Sequence, residues 1–451
     1  MTTLHAAAPG WGKARDLNDS YLALLFLALW GYALMGRGFA YAGIPPIFVG
    51  EMVLVLGALA ALRAGTLPTV LANLPSLALA ALIAWVTIRT LPYLSAYGFD
   101  ALRDSVIAIY GAFAFIVAAL LVERRDRLIA FINSYHGLSS IFPYLFFVAF
   151  PTSRLANEGL PAWPISEIPV IALRAGDSCV HIAGLAAFAL LGFRRVSLLW
   201  GAVLFIGAMM AFSQNRGGML SVLVACAIVI ALMPLSRKLI SLGCAALLVI
   251  VIGLTADISV PLGTDRDLSF RQVANNVVTI VAPADDQREQ GTKEWRMQWW
   301  NDIIDYTLHG PYFWTGKGFG LNLAIDDGYQ VNDPDLPPLR SPHNGHLTFL
   351  ARGGVPGLAL WIVVCVSWAV TVMRLFFVAR ARDDRTWSRF FLFLFAYWIA
   401  ALINSSFDVA LEGPMLGIWF WCLHGLGIGA AILYRAELNA QPAPHLRQRA
   451  Y

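Results

Sequence analysis

The chain has 451 residues, of which 58% are apolar or aromatic and only 13% are Asp, Glu, Lys or Arg. Soluble domains carry about 25% charged residues, so this composition, with a mean hydropathy of +0.65, excludes both a soluble fold and a disordered one. The net charge of +4 comes without a basic cluster outside short loops, and no nucleic-acid partner is expected.

A helix needs about 20 apolar residues to cross the hydrocarbon core. In chain order, runs approaching that length fall at 21–36, 44–62, 74–91, 104–122, 128–150, 179–193, 196–213, 217–234, 238–256, 355–379, 388–404 and 414–434. The expected fold is an all-α polytopic membrane protein of about twelve transmembrane helices. Nine lie within 1–256, a long loop spans 257–341, three further helices lie within 342–434, and 435–451 form a tail. The first run follows Lys13 and Arg15 without a well-spaced small-residue cleavage site, so it reads as an uncleaved span. All five cysteines fall inside spans, which leaves no disulfide framework and no CxxC metal site.

Orientation follows from Lys and Arg. With the N-terminus cytoplasmic, that side receives 18 of the 32 basic residues, including Arg124, Arg125 and Arg127. The short connections on the opposite side hold six: Arg37, Arg89, Arg103, Arg154, Arg174 and Arg216. Both termini are therefore expected in the cytoplasm and the long loop in the periplasm. Solitary arginines on the disfavoured side either snorkel to headgroups or bind something.

Within the long loop, Trp295, Trp299, Ile303 and Tyr306 recur at helical spacing, with Trp300, Ile304 and Leu308 one position round. Such a Trp-rich face suits an amphipathic helix lying in the membrane interface. Gly316, Gly318 and Gly320 follow, without the βαβ context of a dinucleotide fold. Asp333 and Asp335 form a DxD pattern, read as solvated loop residues in preference to a metal site. Charges near mid-span are scarce, and no internal repeat is evident, which disfavours an ion-coupled transporter. Polar residues gather on the extracytoplasmic face.

Four short patterns stand on that face: ALRAG with Arg174, SQNRGGML with Arg216, RMQWW with Arg296 and Trp300, and SPHNGHL with His343 and Asn344. Gly354-Val355-Pro356-Gly357-Leu358 follows the last. In this order, with about twelve spans and one long loop, the chain resembles the O-antigen ligase and O-antigen polymerase superfamily of bacterial inner membranes. The resemblance covers about residues 170–430 by motif and the earlier spans by hydropathy alone. It departs after Arg174, where Asp177-Ser178-Cys179-Val180-His181 stands in place of the family's usual Pro-Asn.

The resemblance implies transfer of a glycan from an undecaprenyl-diphosphate carrier to a sugar hydroxyl at the periplasmic face. The acceptor is lipid A–core in a ligase or a carrier-linked glycan in a polymerase, and no metal, nucleotide sugar or other cofactor is implied. Other polysaccharide-assembly proteins are possible partners. The residues suit that chemistry. Guanidinium groups can grip a departing diphosphate in a bidentate manner, which selects Arg216 and Arg296, then Arg174. A neutral imidazole can take the acceptor's proton, which selects His343, and attack opposite the diphosphate would invert the anomeric carbon. Asn344, Trp300 and Asp408 are candidate supporting residues. Blander readings compete: Arg296 stacked on Trp300, Arg216 as a snorkelling cap, His343 as a helix-start residue, His346 as a satisfied interface histidine, and Asp408 and Glu412 as loop solvation. A binding or transport protein for lipid-linked glycans is the alternative to an enzyme.

Overall fold

The computed structural model describes residues 16–155, 159–260, 268–281, 287–330 and 339–440. Asp333, Asp335 and the extreme termini lie outside the described residues. The main elements are fifteen helices: α1 (Leu17–Met35), α2 (Val49–Ala64), α3 (Leu74–Thr90), α4 (Phe99–Ile109), α5 (Ala112–Glu123), α6 (Asp126–Leu155), α7 (Ala175–Leu190), α8 (Leu198–Gln214), α9 (Arg216–Leu232), α10 (Arg237–Thr255), α11 (Phe270–Val281), α12 (Gln287–Ile304), α13 (Gly345–Ala381), α14 (Arg385–Ser405) and α15 (Pro414–Ala440). Sheet among the described residues is limited to two hairpins with two-residue strands.

The outer surface is inverted relative to a soluble protein. Val55, Leu59 and Leu62 on α2 are 61%, 55% and 67% exposed, and Leu247 and Leu248 on α10 are similarly bare. Apolar surface of that extent needs a lipid solvent. Six helical segments are long and apolar enough to cross a membrane: Leu17–Met35, Leu74–Tyr97, Arg237–Thr255, Gly345–Ala381, Arg385–Ser405 and Pro414–Ala440. The α4–α5 pair makes a seventh if its 42° bend is counted within one span. The expectation of twelve spans is thus met by length and composition in about half the cases. Helices α2, α7, α8 and α9, of 16–17 residues, rise only about 1.5 Å per residue and fall short of a hydrocarbon core of about 30 Å. Helix α6 is long enough, but it carries Pro143 and Pro151 and is studded with His136, Ser139, Ser140 and Arg154.

Two ion-pair systems tie the bundle ends. At one end Arg127, only 2% exposed, pairs with Asp16 at 3.0 Å, Asp19 at 2.9 Å and Glu123 at 2.6 Å. Arg124 joins Asp16 and Asp19, and Arg125 pairs with Glu437. The α5–α6 elbow therefore holds the start of α1 and the last turns of α15 at the same face. These arginines, read from sequence as topology signals, are also structural.

At the opposite end, α13 is broken and stapled. Gly354 has φ +69° and lies outside helical geometry, and Pro356 has no N–H to give. The carbonyls of Ala351 and Arg352 would ordinarily accept from Val355 and residue 356. Instead they accept from the Lys317 and Gly318 N–H groups at 2.7 and 3.0 Å, while the Val355 N–H turns to the Phe313 carbonyl at 2.8 Å. The Trp85 indole donates to the Gly353 carbonyl at 2.9 Å. Gly316 has φ +59°, and a Cβ there would sit 2.4 Å from the Arg352 carbonyl carbon. The glycine-rich segment is thus a plug in a broken helix. Beneath it the fully buried Arg352 pairs with Asp104 at 2.9 Å, and Arg340 pairs with the same carboxylate at 3.0 Å.

The Trp face of α12 differs from expectation. Trp299 and Ile303 are fully buried against Leu323, Ala324, Leu350 and Ala351, and the Trp299 indole donates to Asp327 at 2.6 Å. That face is covered by protein, not by headgroups. Earlier in the same loop, Phe270–Val281 form amphipathic α11. There Asn276 is buried and donates to the Phe212 and Ser213 carbonyls at 2.7 and 3.2 Å.

Candidate functional site

Helix ends converge on one pocket. Its lining includes Arg154 from the end of α6, Arg174 before α7, Gln214 at the end of α8, Asn215 between α8 and α9, His343 before α13, and Asp408 between α14 and α15. Three N-termini border it, those of α7, α9 and α13, and their dipoles favour negative charge. The Asn215 side chain caps α9 by accepting from the Gly218 N–H at 2.6 Å. Close approach depends on Gly176: a Cβ there would meet Asn404, Asn215 and Asp408 at 2.8–3.1 Å.

His343 stands at φ +54°, an uncommon conformation for a residue with a Cβ, and one that clusters at functional sites. Its neighbours hold it there. Pro342 precedes it, and the Pro342 carbonyl accepts from the Trp300 indole of α12 at 2.8 Å. Asn344 follows and caps α13, its side chain accepting from the His346 and Leu347 N–H groups at 3.0 and 3.2 Å. Behind the turn, Thr348 donates to Glu412 at 2.7 Å. Burial pushes the Glu412 carboxyl up, and its contacts with Thr348, Arg352 and Ser341 only partly oppose this.

The His343 Nδ1 lies 3.7 Å from Asp408 Oδ1, with both side chains about one-fifth exposed. Burial pushes the Asp408 carboxyl up, yet the His343 imidazole, the Arg174 guanidinium and the Val409 N–H outweigh it and leave Asp408 below the ordinary carboxylate value. Asp408 is therefore a carboxylate near neutral pH. It can orient the His343 imidazole that lines the pocket.

Of the residues singled out from sequence, Arg174, His343 and Asp408 share this pocket. Arg296 reaches it indirectly, its guanidinium donating to the Phe407 carbonyl at 3.1 Å beside Asp408. Arg216 is the first residue of α9, next to Asn215. Trp300 and Asn344 shape the His343 turn. His346 is a satisfied core histidine: Nδ1 accepts from the Trp361 indole at 2.9 Å, which leaves Nε2–H to face Ser406 Oγ at 3.0 Å. Sequence reasoning counted Arg154 only as a stray basic residue and passed over Gln214 and Asn215. The polar run Ser213-Gln214-Asn215 ahead of two glycines was the available signal for the last two.

Residues 181–362 match the family model described as O-antigen ligase. No curated protein matches the chain.

Proposed function

The chain carries a domain of the O-antigen ligase/polymerase superfamily, and from that premise we propose that it is an inner-membrane glycosyltransferase. It takes a glycan from undecaprenyl diphosphate and transfers it to a sugar hydroxyl on the periplasmic side. About twelve helices traverse or enter the bilayer, with both termini cytoplasmic. The observation that carries the reading is the cluster of His343, Asp408 and Arg174 in one pocket ringed by three helix N-termini.

In the proposed mechanism the acceptor hydroxyl attacks the anomeric carbon while the bond from that carbon to the diphosphate oxygen breaks. The diphosphate departs with the bonding electrons, and the acceptor's proton passes to His343 Nε2. Asp408, ionised and 3.7 Å from Nδ1, holds the neutral tautomer in place and stabilises the imidazolium that forms. Arg174, Arg216 and Arg296 meet the charge developing on the diphosphate. Attack opposite the leaving group inverts the anomeric centre.

Within that class we propose a polysaccharide polymerase in preference to a lipid A–core ligase. Deletion followed by glycan gel electrophoresis tests the reading. Loss of all polymer from lipid A–core identifies a ligase, and a single attached repeat identifies an O-antigen polymerase. Loss of a secreted polysaccharide with intact lipopolysaccharide identifies an exopolysaccharide polymerase. Unchanged surface glycans would contradict the proposal. A transporter without chemistry would bind the carrier but never release undecaprenyl diphosphate when acceptor is supplied.

A further inference from the structure

Arg154 closes helix α6 and lines the same pocket as Arg174. Its guanidinium lies over the Phe150 ring, 5.4 Å from the centroid. Its polar contact with the protein is long, Nη2 donating to the Leu173 carbonyl at 3.4 Å. The Nε is buried with no hydrogen-bond partner among the described residues. A snorkelling arginine would place its head in open water; this one is half-buried, with its Nε covered. Nor does a carboxylate lie within ion-pairing distance of Arg154 or Arg174 among the described residues, in contrast to Arg127, Arg340 and Arg352. Asp408 is engaged with His343. The pocket therefore holds two half-buried guanidinium groups: Arg174 shares the field of Asp408, while Arg154 has no ion-pair partner among the described residues, and a desolvated cation gains from an anionic one.

The approach to Arg154 is apolar. Leu145, Phe147, Val148 and Leu155 on the same helix are exposed, Val148 by 62% and Leu155 by 61%. A lipid chain lying along that face brings its headgroup to the end of α6. Resting on the functional reading above, we infer that Arg154 is a direct ligand of the lipid diphosphate. It takes one phosphate while Arg174 faces the other, so that the two together distinguish a diphosphate from a monophosphate. Its fork of donors suits two phosphate oxygens in one plane.

The test is binding of farnesyl diphosphate, farnesyl phosphate, farnesol and inorganic pyrophosphate to the purified full-length protein in detergent. Thermal melting is followed in parallel. Wild type should bind the diphosphate about tenfold more tightly than the monophosphate. Arg154→Gln should lose about tenfold in diphosphate affinity and most of that preference, and Arg154→Lys, which keeps the charge but not the fork, should retain part of it. Unchanged preference in Arg154→Gln would overturn the assignment. If Arg154→Gln melts early, Arg154→Lys decides: a reduced preference at wild-type melting supports the role, and an unchanged preference overturns it. Inorganic pyrophosphate binding as tightly as farnesyl diphosphate would overturn the lipid headgroup as ligand. Wild type that binds farnesol as well as the diphosphate would overturn the functional reading itself.

Discussion

His343 holds a left-handed backbone conformation between Pro342 and Asn344, with Trp300, Thr348 and Glu412 bracing the turn. A strained residue persists only where its surroundings over-determine it, and here they fix an imidazole beside Asp408. Asp408→Asn should lower glycan transfer by about tenfold or more, because the amide can favour the wrong imidazole tautomer. The same carboxylate gives a pH signature. Its folded value is depressed, so its contribution to stability is present above the ordinary aspartate value of about 3.9 and is lost as pH falls through the lowered one. Melting measured between about pH 5 and pH 3 should show this acid loss in wild type, and Asp408→Asn should lack it. An equal acid loss in both would remove Asp408 from the account.

Elements depend on partners distant in sequence, and this is where reading the chain alone stopped. The helical runs, the three glycines and the Trp spacing were all visible as patterns. The use made of them was not, because it is decided by contacts far along the chain. Gly316, Gly318 and Gly320 gain meaning only when Gly354 and Pro356 break α13 and free carbonyls for the Lys317 and Gly318 N–H groups. The tryptophans of α12 read as membrane-facing until Leu323 and Leu350 cover Trp299. Gly316→Ala, forced against the Arg352 backbone at 2.4 Å, should cost about 1–3 kcal/mol, measured as lowered melting in detergent. Trp300→Phe removes the hydrogen bond to Pro342, worth about 0.5–1.5 kcal/mol. Its transfer rate should fall by more than its melting temperature suggests, since the bond fixes the His343 turn. Wild-type transfer by Trp300→Phe would argue that the turn holds without α12.

At the scale of the molecule, charge was the most legible property. Scarce arginines sorted by side gave the expected orientation and the candidate ligands. The structure refines that sorting: Arg124, Arg125 and Arg127 join a knot that holds the start of α1 and the end of α15 at one face, while Arg154 and Arg174 stand at the pocket. Apolar length was less reliable, since helices of 16–17 residues complete a bundle without meeting the length test. The proposed sidedness places α12 outside and the α13–α14 turn inside. In a background with the five native cysteines replaced, an impermeant maleimide on intact cells should label Asn301→Cys and spare Asp383→Cys. The reverse pattern would invert the topology.

The central claim is that the pocket performs glycosyl transfer with His343 as its base. Its most direct test uses purified protein supplied with an undecaprenyl-diphosphate-linked glycan and its acceptor. Wild type should release undecaprenyl diphosphate together with the lengthened or ligated glycan. His343→Ala, with melting unchanged, should be slower by a factor of about 10²–10⁴. Transfer by His343→Ala at the wild-type rate would contradict the account.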